Sequence, residues 1–162
     1  MPTFTKTKSF SADSVQRMGL EAAWVNGPLS LQGEYLAAVC DTPSAGHPYL
    51  PGLYVQTSYL LTGESRPYDR KTGVFKGIQP RRDFGENGSW GAWEITGRYS
   101  YLDLDQGQLS VTARRLNDIT LGLNWYLNPN VRVMWNYVHS WANAPGIDSA
   151  ADILMVRFQI AF

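Results

Sequence analysis

The sequence predicts an all-β fold, an antiparallel transmembrane β-barrel, and three observations support that prediction. Apolar and polar residues alternate over seven long segments, and no segment shows the 3.6-residue period of a helix. The segments run for about 10 to 13 residues, close to what a tilted strand needs to cross a bilayer and longer than a usual globular strand. Aromatic residues gather toward segment ends, where a barrel carries its interfacial girdle; these are Trp24, Trp90, Trp125, Tyr126 and Trp141.

A predicted tight turn, Asn26-Gly27-Pro28, joins the first strand to the second, and a third strand follows. Residues 16–25 carry apolar side chains at even positions from 18 to 24 and charged side chains at 17 and 21. Residues 29–39 and 53–62 alternate in the same way, with their apolar side chains at odd positions. A loop at 41–51 joins the second strand to the third.

The other four strands follow a long segment without alternation, residues 63–89. Residues 90–102, 116–127 and 131–141 keep apolar side chains at odd positions, and an Asn128-Pro129-Asn130 turn separates the last two. The final strand has apolar residues at every second position from Leu154 to Phe162. A terminal phenylalanine after such an alternation is typical of the assembly signal of outer-membrane barrels, so we assign that role to Phe162.

Composition argues against several other classes of protein. Lys plus Arg equals Asp plus Glu at 14 each, so the chain has no excess of positive charge for binding nucleic acid. Charged residues make up 17%, below the roughly 25% of soluble domains. The two histidines and single cysteine show no metal-ligand or catalytic spacing, so we predict no enzyme activity, metal or cofactor. A soluble barrel also alternates, but strand length and aromatic placement favour the membrane.

The side of the membrane that each loop faces can be assigned by counting strands, because successive connections alternate between the two sides. Long loops normally face outside and short turns face the periplasm. Counting back from residue 162 predicts outside loops at 41–51, 103–114 and 143–150, and periplasmic turns at 26–28 and 128–130. The long segment 63–89 then falls on the periplasmic side. A hidden hairpin within it would make nine strands and keep these assignments, whereas one hidden strand would make eight and reverse the earlier ones.

Seven strands do not make a closed barrel. Bacterial barrels use an even number, and open edges leave backbone groups unsatisfied in lipid. Residues 1–14 are polar and lack the apolar centre of an export signal. We therefore expect a fragment: a loop remnant at 1–15, then the C-terminal part of one barrel domain at 16–162. The alternative is a complete eight-stranded barrel with a structural or adhesive role and no pore.

Two sets of charged residues are candidates for function. The stretch 66–84 holds six basic and two acidic residues, a net charge of +4 that would attract anions at a pore mouth, although a solvated turn without a ligand is also open. The basic residues are Arg66, Arg70, Lys71, Lys76, Arg81 and Arg82. The second set would line the lumen and comprises Arg17, Glu21, Glu34, Glu94, Arg98, Asp118, Arg132 and Arg157. Because this set mixes both signs, we expect most of its members to pair across neighbouring strands.

Five stretches resemble the phosphate-selective porin O and P family. They are GLEAAWVNGPLSLQGEY (19–35), LTGESRPYDRKTGVF (61–75), GAWEITGRYSYLDL (91–104), RLNDITLGLNWYLNPNVRVMWNYVH (115–139) and RFQIAF (157–162).

The resemblance implies an outer-membrane porin of a Gram-negative bacterium, with about 16 strands, of which this chain would supply the last seven. It further implies a passive channel for small anions such as phosphate or polyphosphate, membrane lipid as surroundings, and a homotrimer at full length. The resemblance assigns none of the family's constriction residues to this chain, because it implies that they belong largely to an earlier part of the barrel.

Overall fold

The computed structural model describes residues 11–43, 46–105, 114–144 and 147–161. In chain order the strands are β1 (Ser14–Asn26), β2 (Leu29–Asp41), β3 (Tyr49–Leu60), β4 (Tyr68–Asp69), β5 (Val74–Phe75), β6 (Ala92–Asp103), β7 (Arg115–Tyr126), β8 (Val131–Ala144) and β9 (Ile147–Ile160). Seven of them form one antiparallel sheet in the order β1-β2-β3-β6-β7-β8-β9, and β4 and β5 form a separate small hairpin. Within the described ranges no helix is long and apolar enough to cross a membrane.

The strand register sorts side chains onto two chemically different faces. In one row across β6, β7 and β8, Ile95 lies opposite Leu123, which lies opposite Trp135. The next row points to the other side of the sheet and pairs Glu94 with Asn124. Because side chains alternate along every strand, these rows define an apolar face and a polar face for the whole sheet.

Most of the apolar face is uncovered by the residues that the structure describes. Leu154, Leu20 and Val156 keep 83%, 76% and 70% of their surface exposed. Leaving one such side chain in water rather than burying it costs about 1.5–3 kcal/mol, and water-soluble monomers rarely expose large contiguous apolar patches. This face therefore requires an apolar environment.

The two ends of the sheet differ in their connections. At the short-turn end, β1 joins β2 through Gly27 and Pro28, and β7 joins β8 through 127–130, where the Asn128 side chain accepts hydrogen bonds from the backbone N–H groups of Asn130 (2.9 Å) and Val131 (2.8 Å). The long connection from Leu60 to Ala92 leaves from this same end. We call the opposite end the long-loop end.

The sheet has two edges, β1 and β9, which do not pair with each other in the described part of the chain. An unpaired edge in lipid leaves its N–H and C=O groups without partners, at a cost of several kcal/mol per group. The described residues therefore form an open antiparallel sheet of seven strands, which is consistent with part of the predicted barrel but is not closed.

Several predicted boundaries were wrong. β3 begins at Tyr49 rather than at residue 53, and the expected loop at 143–150 is mostly strand, with Ala144 paired to Ile147. Small and polar residues there hid the pairing, because ladder hydrogen bonds depend on the backbone and not on apolar side chains. The described residues form nine strands rather than seven, because the long segment contains the hairpin β4–β5, the alternative that would make nine strands; this hairpin stays outside the large sheet.

Some predictions fall on residues outside the described ranges. These are the assembly signal at Phe162, most of the loop remnant at 1–15 and most of the loop at 103–114.

Candidate functional site

The long segment, which in the structure comprises residues 61–91 between β3 and β6 rather than the predicted 63–89, folds back onto the polar face at the short-turn end. Its Ile78 is 1% exposed and packs with Leu60, Ala92 and Tyr126 in one buried apolar cluster. The last three belong to β3, β6 and β7, and their side chains share the polar face. The segment thus covers part of the polar face rather than extending into solvent.

A buried carboxylate tethers the segment to the strands. Glu94 on β6 is fully buried and accepts hydrogen bonds from Asn124 Nδ2 at 2.8 Å and from the Tyr126 hydroxyl at 2.7 Å, both on β7. Its other oxygen, Oε1, accepts from Nη2 of Arg66, which comes from the segment. A buried charge persists only when it is paired and hydrogen-bonded, and these three donors satisfy that requirement.

A second acidic residue, Glu64, links the beginning of the long segment to Arg81 in its second half. Glu64 is buried and accepts hydrogen bonds from the Thr62 hydroxyl and, at 3.2 Å, from the Arg81 backbone N–H. The Arg81 guanidinium donates in return to the carbonyl of Gly63 at 2.6 Å. Arg81 therefore joins the two halves of the segment, and part of its hydrogen-bonding capacity is used within the protein.

The hairpin β4–β5 carries two of the exposed basic residues of the segment, Arg70 and Lys71. The rings of Tyr68 and Phe75 make an edge contact at 5.0 Å across it. Asp69 accepts a hydrogen bond from the Lys71 backbone N–H at 2.9 Å, and its other oxygen lies 3.2 Å from Lys76 Nζ. This arrangement holds residues 70–73 at an exposed tip.

The six basic residues of the segment therefore divide into two groups. Arg66 and Lys76 are paired with acids, and Arg81 is bound to the backbone. The side chains of Arg70, Lys71 and Arg82 are exposed, and in the described part of the chain no carboxylate lies within ion-pair distance of them. Together with Arg81, whose guanidinium is bound to a neutral carbonyl and is also exposed, these three carry the positive charge that the segment presents to solvent.

Two groups of the segment have shifted pKa values. The pKa of the Asp69 carboxyl is lowered, first by the Lys71 backbone N–H and then by the Lys76 ammonium. Burial is the largest influence on Arg66 and by itself lowers its pKa, but the charge of Glu94 and the hydrogen bond to it together raise the pKa overall. Arg66 therefore stays charged in spite of its burial.

All eight residues predicted to line a lumen lie on the polar face. In the described part of the chain none of them pairs with another, so the expectation of cross-strand ion pairs was wrong. Glu21 lies directly opposite Glu34, the Arg98 guanidinium lies 3.9 Å from the Tyr54 ring centroid, and Arg132 donates to Gln159 at 2.9 Å. Glu94 pairs with Arg66 of the long segment, outside this set, whereas Arg98 and Arg132 contact neutral partners.

An aromatic band crosses the apolar face at the short-turn end. Trp93 stacks on Trp125 at 5.2 Å and on Trp135 at 6.4 Å. Phe84, from the long segment, packs edge-on against Trp125 at 5.2 Å, and Trp125 Nε1 donates to the Trp90 carbonyl at 2.6 Å. The segment thus reaches around the strand ends and contributes to both faces of the sheet.

Tyr126 does not belong to the aromatic band. It follows Trp125 directly in β7, so its side chain points to the polar face, where it is buried against Glu94. A position near a strand end therefore does not show that a residue belongs to the aromatic band. The alternation within β7 would have placed Trp125 and Tyr126 on opposite faces.

A polar cluster on the apolar face near the long-loop end was not predicted. Asp152 on β9 accepts a hydrogen bond from the Tyr137 hydroxyl at 2.7 Å and contacts His139 Nδ1 at 2.7 Å. His139 lies directly opposite Asp152. The alternation of β8 gives the face of His139, but its partner depends on the β8–β9 register, which the sequence left open.

A sheet of 12- to 14-residue antiparallel strands, with one apolar and one polar face, is consistent with part of a membrane-type β-barrel. The chain belongs to the phosphate-selective porin O and P family, whose model matches residues 2–162. This match confirms the family that the five sequence stretches predicted.

Two relatives align over much of the chain. Porin O of Pseudomonas aeruginosa is 35% identical over 167 residues, which cover 95% of this chain and 36% of that protein. An uncharacterized protein of Caulobacter vibrioides is 32% identical over 120 residues, which cover 74% of this chain and 23% of that protein. The chain therefore spans about a third or less of the length of these relatives.

Proposed function

We propose that this chain forms part of the wall of an outer-membrane channel that passes small anions, including phosphate, by passive diffusion. The separation of the two faces over seven strands carries the proposal. A polar face that keeps charged side chains without acidic or basic partners requires water, whereas the opposite face requires lipid. In a barrel only the interior supplies that water at membrane depth.

The exposed cations of the long segment favour anions over cations. Arg70, Lys71 and Arg82 extend from a segment that covers the polar face, so they would stand at the short-turn mouth of the pore. Charges of one sign at a narrow entrance raise the local concentration of the opposite ion. Phosphate is a suitable ion because guanidinium groups bind its oxygens with paired hydrogen bonds.

Closure of the pore needs more strands than the described residues contain. We propose that other strands of the same protein complete a barrel of about 16 strands and that three such barrels assemble, as the family resemblance implies. The two unpaired edges, β1 and β9, are where the added strands would pair. A small closed barrel without a pore would need an eighth long strand, and the described ranges hold seven.

The reversal potential of the full-length protein in a planar bilayer, under a potassium chloride gradient, tests the proposal. We expect an anion-selective potential that moves toward zero when Arg70 and Lys71 are both replaced by glutamine. The charge-conserving double variant Arg70→Lys, Lys71→Arg serves as the matched control and should keep the wild-type potential. A cation-selective wild type would refute the anion channel.

A further inference from the structure

A groove on the apolar face runs across β7, β8 and β9. It has a volume of about 340 Å³ and is open on the side away from the sheet. Its walls are apolar side chains from all three strands: Leu121, Leu123, Trp135, Tyr137, Leu154 and Val156. Because the proposed surroundings of this face are lipid, the groove has the shape and the chemistry to hold one acyl chain.

The polar cluster of Tyr137, His139 and Asp152 lies at the long-loop end of this groove. Tyr137 belongs to both, since its side chain lines the groove and its hydroxyl donates to Asp152. The next row outward on the same face places Asn117 directly opposite Trp141. Tryptophan and tyrosine gather at the level of lipid headgroups, and a lipid-facing charge is tolerated near that level rather than at the bilayer centre. The cluster therefore lies where a headgroup would lie.

The cluster offers hydrogen-bond acceptors to a ligand. Asp152 Oδ1 accepts from the Tyr137 hydroxyl and contacts His139 Nδ1, each at 2.7 Å. A carboxylate only accepts, so Nδ1 donates, and Nε2 of the neutral imidazole is then an acceptor. Both contacts use Oδ1, which leaves Asp152 Oδ2 for a donor from outside the described residues. The Asp152 and His139 side chains are 64% and 40% exposed, so such a donor can reach them.

The charge of the cluster is negative when the imidazole is neutral. Arg115, two rows further outward on the same face, is paired with Asp103 at 3.2 Å and does not neutralise Asp152. Beside lipid the dielectric constant is low, so the carboxylate attracts a cation more strongly than it would in water. A group that carries both positive charge and N–H donors suits these acceptors, whereas a phosphate would be repelled.

We propose that the groove and the polar cluster together bind one membrane lipid with a primary ammonium headgroup. The ammonium would donate to Asp152 Oδ2 and His139 Nε2, and an acyl chain would lie along Leu121 and Leu154. A lipid fits better than a second copy of the chain because the acceptors lie at headgroup level and continue directly into an apolar groove. This inference rests on the membrane location in the proposed function and not on the ion selectivity.

Native mass spectrometry of the full-length protein in detergent tests the headgroup. The protein is given equimolar phosphatidylethanolamine and phosphatidylcholine with identical acyl chains. Phosphatidylcholine keeps the positive charge but has no N–H donor, so we expect phosphatidylethanolamine to be retained about tenfold more. Phosphatidylglycerol has hydroxyl donors without positive charge and should be retained no better than phosphatidylcholine.

Asp152→Asn tests the location of the site. It should abolish the preference for phosphatidylethanolamine, because the charged acceptor is lost. Asp118→Asn is the matched control: Asp118 is one residue from Ile119, which lies directly opposite His139, but its side chain points to the polar face. This control should keep the preference. Phosphatidylethanolamine with a photoactivatable acyl chain should label β7 and β9 in the wild type and label them less in Asp152→Asn. Heat-modifiable migration establishes that each variant has folded.

Equal retention of phosphatidylethanolamine and phosphatidylcholine by the wild type would overturn the site, and this comparison needs no variant. Equal loss of the preference in Asp152→Asn and Asp118→Asn would also overturn it. A changed oligomeric mass of Asp152→Asn with an unchanged lipid preference would show that a second copy covers the cluster instead. Any of these results in an anion-selective protein would leave the proposed channel intact. The expected lipid preference in a cation-selective protein would refute the anion channel and retain the site.

Discussion

Replacing Glu94 by alanine tests how the long segment is held on the polar face. The substitution removes the acceptor for Arg66, Asn124 and Tyr126 and leaves a guanidinium beside a buried space. Breaking a buried ion pair by removing one partner costs about 3–5 kcal/mol. Arg66 keeps 18% of its side chain exposed and can turn toward water, so we expect a cost at or below the lower limit, about 2–3 kcal/mol.

Thiol labelling at Ile78 would measure this cost. Ile78 is 1% exposed in the docked segment, so an Ile78→Cys variant reacts only when the segment opens. A loss of about 2–3 kcal/mol multiplies the open fraction, and hence the labelling rate, about 30- to 150-fold. The comparison is made within the Ile78→Cys, Cys40→Ser background, so that the effect of those changes cancels.

The control for this prediction is Glu86→Ala. Glu86 belongs to the same segment but is exposed, and its carboxylate accepts one long hydrogen bond, 3.4 Å, from the Asp83 backbone N–H. It should leave the labelling rate within about twofold. If Glu94→Ala raises the rate less than threefold, then apolar packing of Ile78 and not the buried carboxylate holds the segment.

Three further predictions concern the same end of the sheet. Gly91→Ala should abolish the heat-modifiable folded form on gels, because Gly91 has φ +71° and an added Cβ would lie 2.2 Å from the Tyr126 carbonyl oxygen. Asp69 stabilises the hairpin β4–β5 only while its carboxyl is ionised, and its pKa is lowered from the ordinary value of 3.8. Protection of the hairpin against pepsin should therefore persist above pH 3.8 and be lost as the pH falls through the lowered pKa. The Asp69→Asn variant should not show this pH dependence. Trp90, which is 67% exposed at the aromatic band, should be quenched by lipids brominated near the headgroup more strongly than by lipids brominated at the chain ends.

The seven strands and their faces could be predicted because alternation is a local property. In β7, apolar side chains at positions 119, 121 and 123 alternate with Thr120 and Asn124, and this pattern alone sets the face of every residue in the strand. The pairing of neighbours along the chain then follows from the short connections. Strand ends were less predictable, because there polar residues form the backbone hydrogen bonds of the sheet as readily as apolar residues do.

The tether of the long segment could not be predicted. Arg66 belongs to a basic stretch and Glu94 to a strand, and the two residues are separated by 28 positions in the sequence; the sequence left Arg66 as one of six equivalent cations. Its burial against Glu94 depends on the register of β6 with β7 and on the packing of Ile78. The distinction between Arg66 and the exposed Arg70 is therefore a property of the fold.

The central claim is that one face of this sheet meets lipid and the other meets water. Spin labels at the five consecutive positions from Leu53 to Thr57 of β3, in the full-length protein reconstituted into vesicles, test it most directly. Positions 53, 55 and 57 should be accessible to oxygen dissolved in the bilayer, and positions 54 and 56 to a water-soluble nickel complex. Equal access of the nickel complex at all five positions would contradict the account.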